Sequence, residues 1–110
     1  QIELHGAAEL GTLPSSVDAT AYRVVQEALT NVVRHAEATS AVIALRCDNG
    51  SLHVEITDDG LGQAPNTGNG GNGLRGMRER ALAIGGELRA GPRPDGGFGV
   101  HLTAPIGERA

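Results

Sequence analysis

Ser51 to Gly62 reads SLHVEITDDGLG. Leu52, Val54 and Ile56 alternate with His53, Glu55 and Thr57, the period of a strand with one buried face. Asp58 continues the phase of the three apolar residues, so its carboxylate points to the buried face at the strand's end. A buried carboxylate is costly unless a donor meets it. A ligand amino group could be that donor, and Gly60 and Gly62 remove side chains where a flat ligand could approach the backbone. The plainer alternative is a strand that ends in a turn with an exposed Asp. The pattern DxGxG alone does not separate the two.

Reading outward from this strand, Asp48-Asn49-Gly50 is a tight-turn signal. Ala41 to Cys47 before it is apolar and rich in branched residues, which makes the pair a hairpin. Upstream, Val17, Ala21, Val24, Val25, Ala28, Leu29, Val32, Val33 and Ala36 recur at helical spacing and predict a long amphipathic helix over residues 16–37. Ser15, Ser16 or Asp18 can cap it. Ile2 and Leu4 alternate with polar neighbours in a short first strand. Downstream, Asp59 to Gly73 has no apolar periodicity and reads as a loop. Leu74, Met77, Ala81 and Ile84 then define a second helix, stopped by Gly85-Gly86. Glu87 to Ala90 reads as a short strand, Gly91 to Gly97 as a turn, and Val100, Leu102 and Ala104 as the last strand. The order β-α-β-β-loop-α-β-β predicts an α/β (α+β) two-layer sandwich: a mixed, mainly antiparallel sheet with helices on one face.

With 110 residues the chain makes one domain, spanning residues 1–110. Of its 17 glycines, 14 lie from Gly60 onward. They show no three-residue period, which excludes collagen. The net charge is −4, and all nine basic residues are Arg. That balance argues against nonspecific nucleic-acid binding and against direct membrane contact through a polybasic patch. No apolar run reaches membrane-spanning length and no signal peptide opens the chain, so a soluble cytoplasmic domain is expected. The start at Gln1, without Met, reads as a fragment of something larger. Cys47 lacks a partner for an internal disulfide and reads as a buried structural thiol. His5, His53 and His101 show no metal spacing and read as strand-surface residues. Tyr22 and Phe98 read as core or pocket-edge packing.

Two further groups of residues could carry chemistry. Glu27, Asn31, Arg34 and His35 sit at i, i+4, i+7 and i+8, near one line on the long helix. They could serve a Mg2+–phosphate ligand, or they could be a solvated helix face. Gly68-Asn69-Gly70-Gly71-Asn72-Gly73 matches GxGxxG, but its preceding strand ended about ten residues earlier, which excludes a dinucleotide fingerprint. The absence of GK[ST] excludes a Walker loop. A glycine-rich segment leading into a helix can still offer free N–H groups to a phosphate. Arg75, Arg78 and Arg80 lie close by. The alternative is a flexible surface loop.

Taken in order, these pieces resemble the ATP-binding catalytic domain of sensor histidine kinases. Gln26-Glu27-Ala28-Leu29-Thr30-Asn31-Val32-Val33-Arg34-His35-Ala36 resembles their N box, Asp58-Asp59-Gly60-Leu61-Gly62 their G1 box, and Gly71-Asn72-Gly73-Leu74-Arg75-Gly76-Met77-Arg78-Glu79-Arg80 their G2 box. The wording around QEALTN, RHA and GLRGMRERA resembles the subgroup that pairs with NarL-type response regulators.

The resemblance implies the Bergerat (GHKL) ATP-binding fold, ATP and Mg2+ as cofactors, and phosphoryl transfer in two-component signalling. Asn31 would supply a Mg2+ ligand, and Glu27 would be the base or would orient the Mg2+ shell. Arg34 and His35 would lie near the phosphates. Asp58 would accept the adenine amino hydrogen, with Gly60 and Gly62 making room. Residues 61–72 would be the ATP lid, closed at its far end by Gly71, Gly73 and Leu74. The partners implied are ATP or ADP, a NarL-type response regulator downstream, and the dimerisation domain bearing the acceptor His. No motif for that domain is present in this sequence. Asn72 departs from the His common in the G2 box, and Phe98 stands where a Thr hydroxyl often helps to hold adenine. Two other readings share the fold: a non-catalytic nucleotide-binding regulatory module, and an anti-sigma-factor-type Ser kinase.

Overall fold

The computed structural model describes residues 2–6, 13–32, 40–48, 50–60, 71–94 and 96–106. The elements run β1 (Ile2–His5), α1 (Ser15–Asn31), β2 (Ala41–Asp48), β3 (Ser51–Asp58), α2 (Gly71–Ala83), β4 (Glu87–Pro92) and β5 (Phe98–Pro105). They form a five-stranded sheet in the order β1-β2-β3-β5-β4. β1 runs parallel to β2, and the other neighbouring pairs are antiparallel. The expected two-layer, mainly antiparallel architecture is therefore the one observed.

The register explains where the core lies. Leu52, Val54 and Ile56 of β3 stand opposite Ala104, Leu102 and Val100 of β5. All six are buried, together with Val17, Ala21, Val24 and Ala28 of α1 and Met77 and Ala81 of α2. The strand period of two and the helix spacing of three and four thus meet on one face of the sheet. Each large apolar side chain buried there contributes about 1.5–3 kcal/mol. His53, Glu55, Thr57, His101 and Thr103 project to the opposite face, where they are exposed or half-buried.

Several boundaries differ from the sequence reading. α1 starts at Ser15, with Pro14 in the capping position and no side-chain cap from Ser15, Ser16 or Asp18. The first turn is closed instead by the Asp18 N–H, which donates to the Pro14 carbonyl at 2.9 Å. Asp18 still favours the helix as an acid in its first turn. Residues 33–37 of the expected helix lie outside the described residues, as do residues 61–70 of the expected lid.

Gly71 to Gly73 belong to α2 rather than to the loop. A helix's first turn needs no N–H partners within the helix, so glycines there lose little hydrogen bonding. The helix stops as expected: the Gly86 N–H donates to the Ala81 carbonyl at 2.8 Å and the Gly85 N–H to the Leu82 carbonyl at 3.0 Å.

β4 continues through Gly91 and Pro92, paired with Gly99 and Phe98. Pro92 is tolerated because β4 is an edge strand. The turn beyond it is closed by the Arg93 N–H, which donates to the Gly97 carbonyl at 2.9 Å.

Two side-chain expectations are corrected. Cys47 is exposed, not buried: β1 pairs only with Ala41 to Ala44 of β2, so Arg46 to Asp48, all exposed, have no β1 partner. Tyr22 is 66% exposed; it follows Ala21 by one position and so sits about 100° around the helix from the buried stripe. Phe98 packs in the core as expected.

Candidate functional site

β3 carries its buried alternation one step past the apolar residues, and that step is Asp58. Its side chain faces the helix-covered side and is 6% exposed. The Gly60 N–H donates to Asp58 Oδ1 at 2.8 Å. Oδ2 has no hydrogen bond among the described residues. A buried, half-satisfied carboxylate is costly in a finished core, and it is the arrangement that leaves an acceptor open for a ligand donor.

Asp59 has a different task. Its Oδ1 accepts from the Ser40 N–H at 3.0 Å and its Oδ2 from the Ser40 hydroxyl at 3.3 Å. Its own N–H donates to the Ser40 carbonyl at 3.3 Å. The end of β3 is thereby tied to the residue that leads into β2. Asp58 is held in place from one side by this tie and from the other by the start of β5.

Gly97 makes that second contact, and the sequence reading assigned it only to a turn. A Cβ on Gly97 would overlap the carbonyl oxygen of Asp58 and come within 3.2 Å of Asp59 Cα. The backbone of β5's entry therefore lies directly against the residue that carries the carboxylate. The paired Gly96-Gly97 before an apolar strand was a signal of close backbone approach.

Glu27 and Asn31 lie one turn apart on α1, and both are half-buried. Neither makes a side-chain hydrogen bond among the described residues. They offer carboxylate and amide oxygens, the hard donors that Mg2+ prefers. Gly71 and Gly73 lie in the first turn of α2, and Leu74 packs against the core from the same turn. Gly60 sits in the turn after Asp58. Arg34, His35 and Gly62 lie outside the described residues.

A shallow groove of about 300 Å3 runs along Thr57, Gly91, Arg93, Gly99 and His101. It opens on the face of the sheet away from the helices, so Asp58 does not line it. On that same face His53 Nδ1 lies 3.2 Å from His101 Nε2. Burial, then the Arg46 and His101 charges, lower the His53 pKa below the ordinary 6.5, while Asp48 and Glu55 pull it up.

A lowered His pKa means that the folded state resists the proton more than the unfolded chain does. The His53 contribution to folding stability is then fully present above about pH 6.5 and is lost as the pH drops below it. Urea unfolding between pH 8 and pH 5 should show this loss. The slope should shrink in His53→Gln, and an equal slope in that variant would remove His53 as its source.

A family model described as histidine kinase-, DNA gyrase B- and HSP90-like ATPase matches residues 17–108. Sensor histidine kinase YxjM of Bacillus subtilis (strain 168) is 42% identical over 93 residues, covering 84% of this chain and 22% of that protein. The signal transduction histidine-protein kinase/phosphatase UhpB of Salmonella typhimurium is 42% identical over 76 residues, covering 69% of this chain and 15% of that protein. The chain thus spans less than a quarter of the length of these relatives. Among solved structures, the Erythrobacter litoralis EL346 blue-light activated histidine kinase superposes with a TM-score of 0.72 at 26% identity, over 96% of this chain and 35% of that one.

Proposed function

This chain belongs to the histidine kinase-, DNA gyrase B- and HSP90-like ATPase family, and from that premise we propose that it binds ATP with Mg2+ and is the catalytic part of a sensor histidine kinase. The observation that carries the reading is Asp58: buried, with one oxygen held by the Gly60 N–H and the other open. The open oxygen accepts a hydrogen from the adenine amino group. Gly60 and Gly62 leave room for the base and sugar. The N–H groups of α2's first turn, at Gly71 and Gly73, would bind the phosphates, and Arg34 and His35 would add charge and donors to them. Leu74 anchors that turn in the core.

Asn31 and Glu27 would hold the Mg2+, which neutralises charge on the phosphates when bound. Glu27 also takes the role of base or orienting group. In the reaction the bond from the γ-phosphorus to the β-phosphate bridging oxygen breaks, a bond to a His ring nitrogen forms, and ADP leaves. The acceptor His belongs to a separate dimerisation domain, and the phosphoryl group passes on to a NarL-type response regulator. Residues 61–72 act as the lid, and the domain works in the cytoplasm.

A second reading, a nucleotide-binding module without transfer, is favoured by Phe98. Its buried ring offers no hydroxyl beside Asp58. One experiment separates the two: the chain is mixed with the dimerisation domain of its own parent protein and ATP labelled at the γ-phosphate. Label should appear on that domain, dependent on Mg2+ and lost in Glu27→Ala. ATP binding without any transfer would overturn the kinase reading in favour of the second.

A further inference from the structure

The face of the sheet away from the helices carries a second constellation. The register sets His53 of β3 opposite Thr103 of β5, and Glu55 opposite His101. The two imidazoles are therefore diagonal neighbours, although 48 residues separate them in the chain. Their facing nitrogens are 3.2 Å apart. The ring centroids are 5.4 Å apart, with the planes inclined by 43°. An ion bound tetrahedrally by two imidazoles, with metal–nitrogen bonds of about 2.0–2.1 Å, holds those nitrogens about 3.3 Å apart. The β3–β5 pairing already fixes nearly that spacing, so little ordering remains to be done on binding.

We propose that His53 Nδ1 and His101 Nε2 form a two-point chelate for a divalent ion of the zinc, nickel and copper group. Imidazole nitrogens suit these ions. In the ion-free pair one ring donates an N–H to the other, and the rings point almost at each other. On chelation that proton moves to the far nitrogen of its own ring, and each ring turns until both lone pairs meet outside the sheet. Two neutral rings exchange a tautomer in this step, with no net proton release. Water fills the remaining coordination positions.

The surroundings fit this exchange. His101 in the chelate carries its proton on Nδ1, and Glu55 Oε2 lies 3.9 Å from that atom on an exposed side chain free to close the gap. A carboxylate on the outer N–H is the usual partner that orients a metal-bound imidazole. Arg46 stands opposite His53 on β2, but Asp48 holds its guanidinium at 3.1 Å. No third His, Cys, Asp or Glu completes the set among the described residues. The site is accordingly one of moderate affinity and exchangeable metal. Asp58 lies on the opposite face of the same sheet, so the chelate fills without nucleotide.

The test is Zn2+ titration of the 110-residue chain by calorimetry, without nucleotide or Mg2+, in a Cys47→Ser background. One saturable site is expected. It should be lost in His53→Ala and in His101→Ala, kept in His5→Ala, and weakened by roughly tenfold or more in Glu55→Gln. Added Zn2+ should shift the ring resonances of His53 and His101 but not of His5, a readout that does not depend on a variant's folding. Absence of binding, or equal binding by the folded double variant His53→Ala/His101→Ala, would overturn the proposal.

Discussion

Asp58→Asn should lower the affinity of the chain for ATP and ADP by roughly 10- to 100-fold, the weight of a hydrogen bond to a charged group. The two side chains have the same shape. The Asn carbonyl oxygen can keep the Gly60 N–H, which now donates to Oδ1 at 2.8 Å. What changes is the other atom: an open acceptor becomes an NH2 donor, set against the donor of the adenine amino group. The loss should therefore fall on binding, with little change in unfolding midpoint. Calorimetry with ATP and with ADP, with and without Mg2+, measures the first quantity, and urea unfolding the second. Unchanged affinity in a folded variant would remove Asp58 as the nucleotide anchor.

The inward direction of Asp58 was legible in the sequence because a strand's period is local. Leu52, Val54 and Ile56 fix the phase, and Asp58 has only to follow it. The same locality made the α1 stripe, the β2–β3 hairpin and the Gly85-Gly86 stop readable. Each depends on residues within a turn or two of one another. The ends of elements were less readable, since Gly91 and Pro92 extend β4 only because Gly99 and Phe98 lie beside them. Nothing in their own composition requests a strand.

Features made by distant pairing were not legible. Cys47 has a strand-like neighbourhood, yet it is exposed where the β1 pairing stops at Ala44 and leaves the end of β2 without a β1 partner. The meeting of His53 and His101 requires the β3–β5 register, which no spacing in the sequence encodes. The candidate residues Glu27, Asn31 and Asp58 stand out in the sequence through their side-chain types and their phase on helix and strand. Gly97 reads locally as a turn residue, whereas its contribution is the absence of a side chain at a point where two backbones touch.

Gly97→Ala should accordingly cost more folding stability than its position in a turn suggests, about 2–4 kcal/mol. Two effects combine. The φ of Gly97 is +85°, a region in which a Cβ costs about 1–2 kcal/mol. The new Cβ also overlaps the Asp58 carbonyl oxygen. The atoms it meets are backbone, so no side-chain rotation relieves the clash. Relief requires the end of β3 to move from the start of β5, against the tie between Asp59 and Ser40.

Gly96→Ala is the matched control. Its φ is +101°, but among the described residues no atom beyond its chain neighbours lies within 4 Å of the added Cβ. It bears the backbone strain alone and should lose about 1–2 kcal/mol. Urea unfolding of the two variants isolates the overlap as their difference. ATP affinity should fall in folded Gly97→Ala, where Asp58 is displaced, and stay near wild type in Gly96→Ala. Equal stability losses in the two variants, with equal affinities, would show that the contact at Gly97 does not set the position of Asp58.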